Sequence, residues 1–199
     1  MITTEQIKEL RDTTSISVMQ CKKALEEAGG DMKKALVILQ KKSGEISAKK
    51  GDRTFRAGTV AAYVHSTGNV ATMIELLCET DFVSDNEEFK TLARDIAMHI
   101  TASNPKFLKK EDISKEDINT AKEVFMKEMK DGPKKIPKDM QEKILEGKIE
   151  TYFSEMVLLN QVFIKNPELT IEALIQKAVQ KFGEKIAVAR FKRFKVLES

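Results

Sequence analysis

The chain has no tryptophan, two cysteines, two histidines and four prolines in 199 residues, and no long apolar run. Each shortage removes a class of function. Cys21 and Cys78 stand far apart with no second thiol at metal-ligand spacing, so neither a zinc site nor a disulfide framework is indicated. Both lie among apolar positions of predicted elements and read as buried reduced thiols, as expected in a reducing cytoplasm. His65 falls at the end of a predicted hairpin and His99 within a predicted helix. Neither has an adjacent nucleophile or paired carboxylate in sequence, so no catalytic or metal constellation and no cofactor is expected. No glycine-rich loop runs into Lys and Ser or Thr, so the chain is not expected to hold nucleoside phosphates itself. No stretch approaches the ~20 apolar residues of a membrane helix, and the opening Met1-Ile2-Thr3-Thr4-Glu5-Gln6 lacks the basic and apolar regions of a leader. A cytosolic protein is the expectation. An excess of one charge is also missing. Lys+Arg at 34 against Asp+Glu at 31 gives a formal net charge of +3, which singles out neither a nucleic-acid nor a membrane surface. Arg190, Lys192, Arg193 and Lys195 do cluster, but they alternate with apolar residues and read most simply as the solvated face of a strand.

What is present is ordinary for a globular chain: 41% hydrophobic and 33% charged residues, sufficient for one or two domains. Residues 1–46 divide into three short helices. Thr3 or Thr4 caps a helix carrying Ile7 and Leu10 on one face. Ser17 with Gln20 fits a capping box leading through Cys21 and Leu25 to a stop at Gly29-Gly30, and Asp31 caps a helix whose Ala35, Leu36 and Leu39 recur until Gly44. None is long enough to hold alone in water, so the three are expected to bury their stripes against one another. The polar, basic stretch that follows, with no clear apolar stripe, reads as a linker over 47–57 that lets the bundle move relative to a core at 58–199.

Within that core Val60, Ala62 and Val64 alternate with Ala61 and Tyr63. Ser66-Thr67-Gly68-Asn69 supplies turn chemistry, and the apolar run Val70 to Cys78 completes a hairpin. Ile186 to Val196 predicts a third strand with a shift of face near Phe191 and Phe194. Four helices are expected around this small antiparallel sheet. The first opens with a Ser84/Glu87 capping box, carries Phe89, Ile96 and Ile100 and ends at Asn104-Pro105. The second runs through Ile118 to Met129 and stops at Gly132-Pro133. The third starts at Pro137 and includes Tyr152 and Phe153, and the last runs from a Thr170 cap to Gly183. Strands, then helices, then a returning strand give an α+β fold.

Between the second strand and the next helix stands Thr80-Asp81-Phe82-Val83, a carboxylate and an aromatic ring side by side on a turn flanked by rigid elements, where binding residues tend to sit. Read locally, Phe82 could equally staple the helix to the sheet and Asp81 could cap it. The tetrad, with Ile74-Glu75-Leu76-Leu77-Cys78-Glu79 before it, resembles the signature of elongation factor Ts, the nucleotide exchange factor of elongation factor Tu. Further matches are Leu10-Arg11, Cys21-Lys22-Lys23-Ala24-Leu25 and Gly30-Asp31, similar to that family's ubiquitin-associated-like N-terminal bundle. Gly58-Thr59-Val60, Tyr63-Val64-His65, Glu146-Gly147-Lys148-Ile149 and Leu158-Leu159-Asn160-Gln161 resemble its core. Ser15, Ser17 and Gln20 depart from the family pattern, as does Val162, where a proline usually stands.

The resemblance implies an exchange factor, not an enzyme, that binds elongation factor Tu with GDP and promotes replacement by GTP. Thr80, Asp81, Phe82 and Val83 would dislocate the partner's Mg²⁺, with Phe82 as apolar wedge, Asp81 as the polar residue that fixes it, and Thr80 and Val83 holding the turn. Arg11, Val18 and Met19 would be the N-terminal contacts, although Val18 and Met19 could instead be core residues. The length matches the short form of the family, which lacks a duplicated half of the core and pairs through its sheets, so a homodimer is expected. Two other classes remain: a passive adaptor binding a protein through the helical bundle, and a nucleic-acid binder using the C-terminal basic strand.

Overall fold

Short-range caps shape the N-terminal module of the computed structural model, which describes residues 2–14, 16–49, 53–131 and 138–198. Helix α1 (Thr4–Thr14) opens with a reciprocal pair: the Thr3 hydroxyl accepts the Gln6 N–H at 3.2 Å and the Gln6 side chain accepts the Thr3 N–H at 3.0 Å. Helix α2 (Val18–Glu27) is capped by Ser17, which accepts the Gln20 N–H. The expected box forms only half, because the Gln20 side-chain oxygen is buried without a partner rather than turned back to Ser17. Asp31, capping α3 (Met32–Lys49), accepts the Lys34 N–H at 3.1 Å, and this bond holds its carboxyl below the usual range. Leu10, Ile16, Cys21, Ala24, Leu25, Ala35 and Leu39 close into a single cluster, the joint burial that three short helices need. Helix α3 does not stop at Gly44 but runs on to Lys49. A lone helical glycine costs only about 1 kcal/mol relative to alanine, too little to end a helix that its neighbours favour. Ser15 and residues 50–52 lie outside the described residues, and α3 also packs against the last helix of the core.

The core is a three-stranded antiparallel sheet in the order β1-β2-β3, with β1 (Ala57–Val64) and β3 (Ala187–Lys195) on either side of β2 (Val70–Cys78). Alternation sends Thr72, Ile74, Leu76 and Cys78 to the buried face of β2. Gly58 permits close pairing, since a Cβ there would lie 2.6 Å from the Leu76 carbonyl oxygen. The shift of face in β3 occurs earlier than the alternation predicts. Glu75 pairs with Arg190 and Leu76 with Val188, which leaves Ala189 as the extra residue of a bulge and carries Phe191 onto the core side. Phe194 stays on the outer face, which also exposes Val60, Val64 and Met73.

Helix α5 (Glu87–Ser103) lies across the inner face, burying Phe89, Ala93, Ile96 and Ile100, and ends where Asn104 takes a left-handed conformation (φ 48°) before Pro105. The capping box expected from Ser84 and Glu87 does not form. Asn86 accepts the Glu88 N–H at 2.8 Å instead, and the Ser84 hydroxyl donates to the Asp81 carbonyl. A helical hairpin follows, α6 (Lys115–Asp131) with α7 (Lys138–Met156), joined by the edge-to-face pair Phe125–Tyr152. Helix α6 starts at Lys115, earlier than periodicity indicated, because Ser114 and Asp117 form a cap. The expected stop at Gly132-Pro133 and start at Pro137 fall outside the described residues. Helix α8 (Ile171–Phe182) is capped by Thr170 and closed by Gly183 at φ 72°, as expected. Val162 forms an isolated bridge with Thr170, made through the Ile171 N–H to Gln161 and the Phe163 N–H to Leu169, so the pairing does not draw on the N–H of Val162 itself. A proline there would cost this bridge no hydrogen bond.

One core group ties stability to pH. His99 of α5 is buried, its Nε2 2.9 Å from the Gln161 side-chain oxygen, and burial lowers its pKa from the ordinary 6.5 despite that bond. The unfolded chain therefore takes up a proton at a pH where the folded one does not. The contribution of His99 to stability should be constant above about pH 6.5 and fall as the pH drops below it. Urea midpoints at pH 7.5 and 5.5 should differ less in His99→Leu than in the parent, whatever the substitution costs at either pH; an unchanged difference would assign the pH dependence to other groups.

Candidate functional site

The end of β2 delivers the chain into a single helical turn, α4 (Asp81–Ser84), rather than an open turn. A four-residue helix cannot hold itself, so its orientation must come from its neighbours. Val83 supplies one anchor: it is 2% exposed and belongs to the cluster containing Ile74, Leu76, Cys78 and Phe89. Thr80 supplies the other. It occupies the N-cap position in an extended conformation (φ −132°, ψ 157°), yet its side chain makes no cap bond. Its hydroxyl donates instead to Oε1 of Glu184 at 2.5 Å, while the N–H groups of Glu79 and Thr80 both donate to Oε2 of Glu184 at 3.0 Å. Glu184 lies just beyond Gly183, on the turn between α8 and β3.

A second carboxylate bonds in the opposite direction. Glu79 accepts the Lys185 N–H at 2.6 Å and pairs with the Arg53 guanidinium at 3.0 Å. The Lys185 ammonium donates to the Arg53 carbonyl and lies 4.6 Å from the centre of the Phe55 ring. The Arg56 N–H continues the ladder to the Cys78 carbonyl. Beneath the corner the Cys78 thiol is buried and donates to the Thr80 carbonyl at 3.2 Å; desolvation first, then the charge of Glu184, pushes its pKa up and makes it unreactive.

Between these anchors, Asp81 and Phe82 face outward. Phe82 is 83% exposed, among the described residues the second most exposed large apolar one after Leu197, which follows β3. It does not staple the helix to the sheet; Val83, one position on, does that. The Asp81 carboxylate accepts the Phe82 N–H at 2.9 Å and remains exposed. The ring, held in water on a corner anchored from both sides, buries little surface within the chain and stays accessible.

The N-terminal candidates are also at the surface. Val18 is 51% and Met19 68% exposed at the start of α2, so they are not core residues; Ile16 and Cys21 take that role. Arg11 is exposed in the last turn of α1. Arg190, Lys192 and Lys195 are exposed as expected of a solvated face, Arg190 pairing with Glu75 at 2.7 Å, but Arg193 is not: opposite the buried Thr72, its side chain is 12% exposed, donates to the Thr101 carbonyl at 3.3 Å and pairs with Glu198 at 2.5 Å. Among the described residues no cluster of His, Cys, Asp or Glu could hold a metal ion, and no helix is long and apolar enough to cross a membrane.

Glu184, Arg53 and Asn86 were not singled out from sequence. Asn86 carries a local signal, an asparagine immediately before the acidic first turn of α5. Glu184 carries none, because its partners lie 104 and 105 positions away.

Comparison with known proteins matches residues 2–198 to the family model described as Elongation factor TS. Curated relatives named Elongation factor Ts include one from Thermodesulfovibrio yellowstonii, 49% identical over 98% of this chain and 96% of its own length. Those from Carboxydothermus hydrogenoformans and Thermosipho melanesiensis are each 43% identical over 100% of this chain and cover 90% and 100% of their own lengths.

The opposed environments of adjacent side chains make a stability prediction. Phe82→Ala should change unfolding free energy by less than about 0.5 kcal/mol, since it removes no buried contact. Val83→Ala should cost about 2 kcal/mol through lost burial and a small cavity. Urea midpoints of the two variants, measured side by side, check the order.

Proposed function

The chain belongs to the elongation factor Ts family and is a translation elongation factor, and from that premise we propose that it is the guanine nucleotide exchange factor of elongation factor Tu, releasing GDP so that GTP can enter. The observation that carries the reading is Phe82, exposed beside Asp81 on a corner anchored from both sides.

Exchange requires no bond chemistry. A protein that binds the nucleotide-free form of a GTPase better than the loaded form weakens nucleotide binding by the same factor, because the two equilibria are linked. In GTPases the vulnerable element is Mg²⁺, which bridges the phosphates and the switch segments. Phe82 is the apolar wedge that displaces partner side chains near that ion, and Asp81 presents a charge that competes for groups around it. Thr80 and Val83 hold the turn from behind. Arg11, Val18 and Met19 form a second contact on the bundle, with Arg11 facing a polar or charged group and the other two supplying apolar anchors. The bundle, whose third helix runs to Lys49, and the core from Ala57 onward act as two parts of one binding surface, in the cytosol where translation proceeds.

The outer face of the sheet supports pairing of two copies. Val60, Val64, Met73 and Phe194 are between 50% and 63% exposed across three strands, a surface that short chains cover by self-association. Light scattering should report a dimer at micromolar concentration and a monomer for Val64→Lys; a monomeric parent would remove dimerisation from the proposal.

The decisive measurement is stopped-flow release of a fluorescent GDP from elongation factor Tu. Phe82→Ala should slow the stimulated release by at least about tenfold, the scale of an interface anchor, while the variant keeps its fold. Wild-type release kinetics would defeat the exchange reading, and retained binding without any effect on nucleotide would favour the adaptor.

A further inference from the structure

We infer that Glu184 is a positioning residue for the exchange surface: from the turn between α8 and β3, its carboxylate fixes the Thr80 corner so that Asp81 and Phe82 meet the partner in one orientation. This rests on the exchange reading, and it assigns a function to a residue outside the tetrad and 102 positions from Phe82 in sequence (184 − 82).

The geometry suits a carboxylate. Three donors converge on its two oxygens, the Glu79 and Thr80 N–H groups on one and the Thr80 hydroxyl on the other, at 3.0, 3.0 and 2.5 Å. A glutamine could keep the two N–H bonds on its oxygen and donate its NH₂ to the Thr80 hydroxyl oxygen, so the cross-link is removed only by a residue without a polar side chain. Gly183, left-handed at φ 72°, ends α8 and aims the next residue at the corner. Glu79 returns the cross-link through the Lys185 N–H, so the backbone leaving β2 and the backbone entering β3 are each bonded to a carboxylate of the other.

The consequence concerns preorganisation rather than folding. Val83 keeps α4 on the core, but one buried side chain leaves the turn free to rock about that contact. The Glu184 bonds remove this freedom at the residue just before Asp81. When they are lost, a smaller fraction of molecules presents the ring correctly, and apparent affinity for the partner falls by that fraction.

The test is GDP release from elongation factor Tu across a range of exchange-factor concentrations, for Glu184→Ala, Phe82→Ala and the double variant. Circular dichroism confirms folding, and Thr80→Val provides a second route to loosening the corner. Glu184→Ala should raise the half-saturating concentration by about five- to tenfold and leave the limiting rate within about twofold, because the competent fraction changes and the wedge does not. In the Phe82→Ala background it should add less than about twofold, since there is no ring left to position. Equal effects in the two backgrounds would show a merely structural role and overturn the inference, as would a wild-type profile for both Glu184→Ala and Thr80→Val beside a slowed Phe82→Ala. An unchanged Phe82→Ala would instead overturn the exchange reading itself, and with it the assignment.

Discussion

The carboxylate of Glu184, accepting two amides and a hydroxyl from the residues just before Asp81, is the constraint around which the corner carrying Thr80 to Val83 is organised. Ion pairs on a protein surface contribute little individually, and Arg53–Glu79 in isolation would be worth a fraction of a kcal/mol. Its setting makes the difference. Two carboxylates bond reciprocally to backbone N–H groups, and such bonds are directional in a way that a flexible ion pair is not. The sheet, the close of α8 and the segment entering β1 are thereby fastened at one point, and from it the single turn of α4 projects.

That arrangement reconciles two requirements that normally conflict. A binding corner must be exposed, which deprives it of the burial that orders most residues, and it must be ordered, or binding is weakened by the entropy of fixing it. Here the ordering groups sit behind the exposed ones. Val83 is buried, Thr80 is bonded and Cys78 lies beneath as an unreactive thiol, while Asp81 and Phe82 remain exposed. The bundle follows the same division on a smaller scale, with Ile16 and Cys21 in the core and Val18 and Met19 outside.

Much of this was legible in the residue pattern. The caps Thr3, Ser17, Asp31 and Thr170, the stops at Asn104 and Gly183, the hairpin about Gly68 and the α+β order follow from interactions within a few residues, and the structure has them. Misreadings occurred where local signals competed. Ser84 and Glu87 have the spacing of a capping box, but the one-turn helix α4 occupies Ser84, and Asn86 caps α5 in its place. Gly44 resembled a stop and lies inside a helix, since glycine ends a helix only where the backbone turns left-handed. The bulge at Ala189 shifted the face of β3 before the aromatic residues that suggested a shift, because alternation alone does not fix which residue is left unpaired.

By itself the sequence determined the elements, their caps, the sheet-plus-helices class and the tetrad with its family resemblance, all of which are carried by neighbours in the chain or by a contiguous motif. The tertiary structure decided which way the tetrad faces and what holds it. Whether Phe82 or Val83 points to the core depends on the phase of one helical turn against α5 and β2, and the Glu184 bonds join positions more than a hundred residues apart. No local pattern encodes a hydrogen bond across that separation; it exists only once β2 and β3 lie side by side.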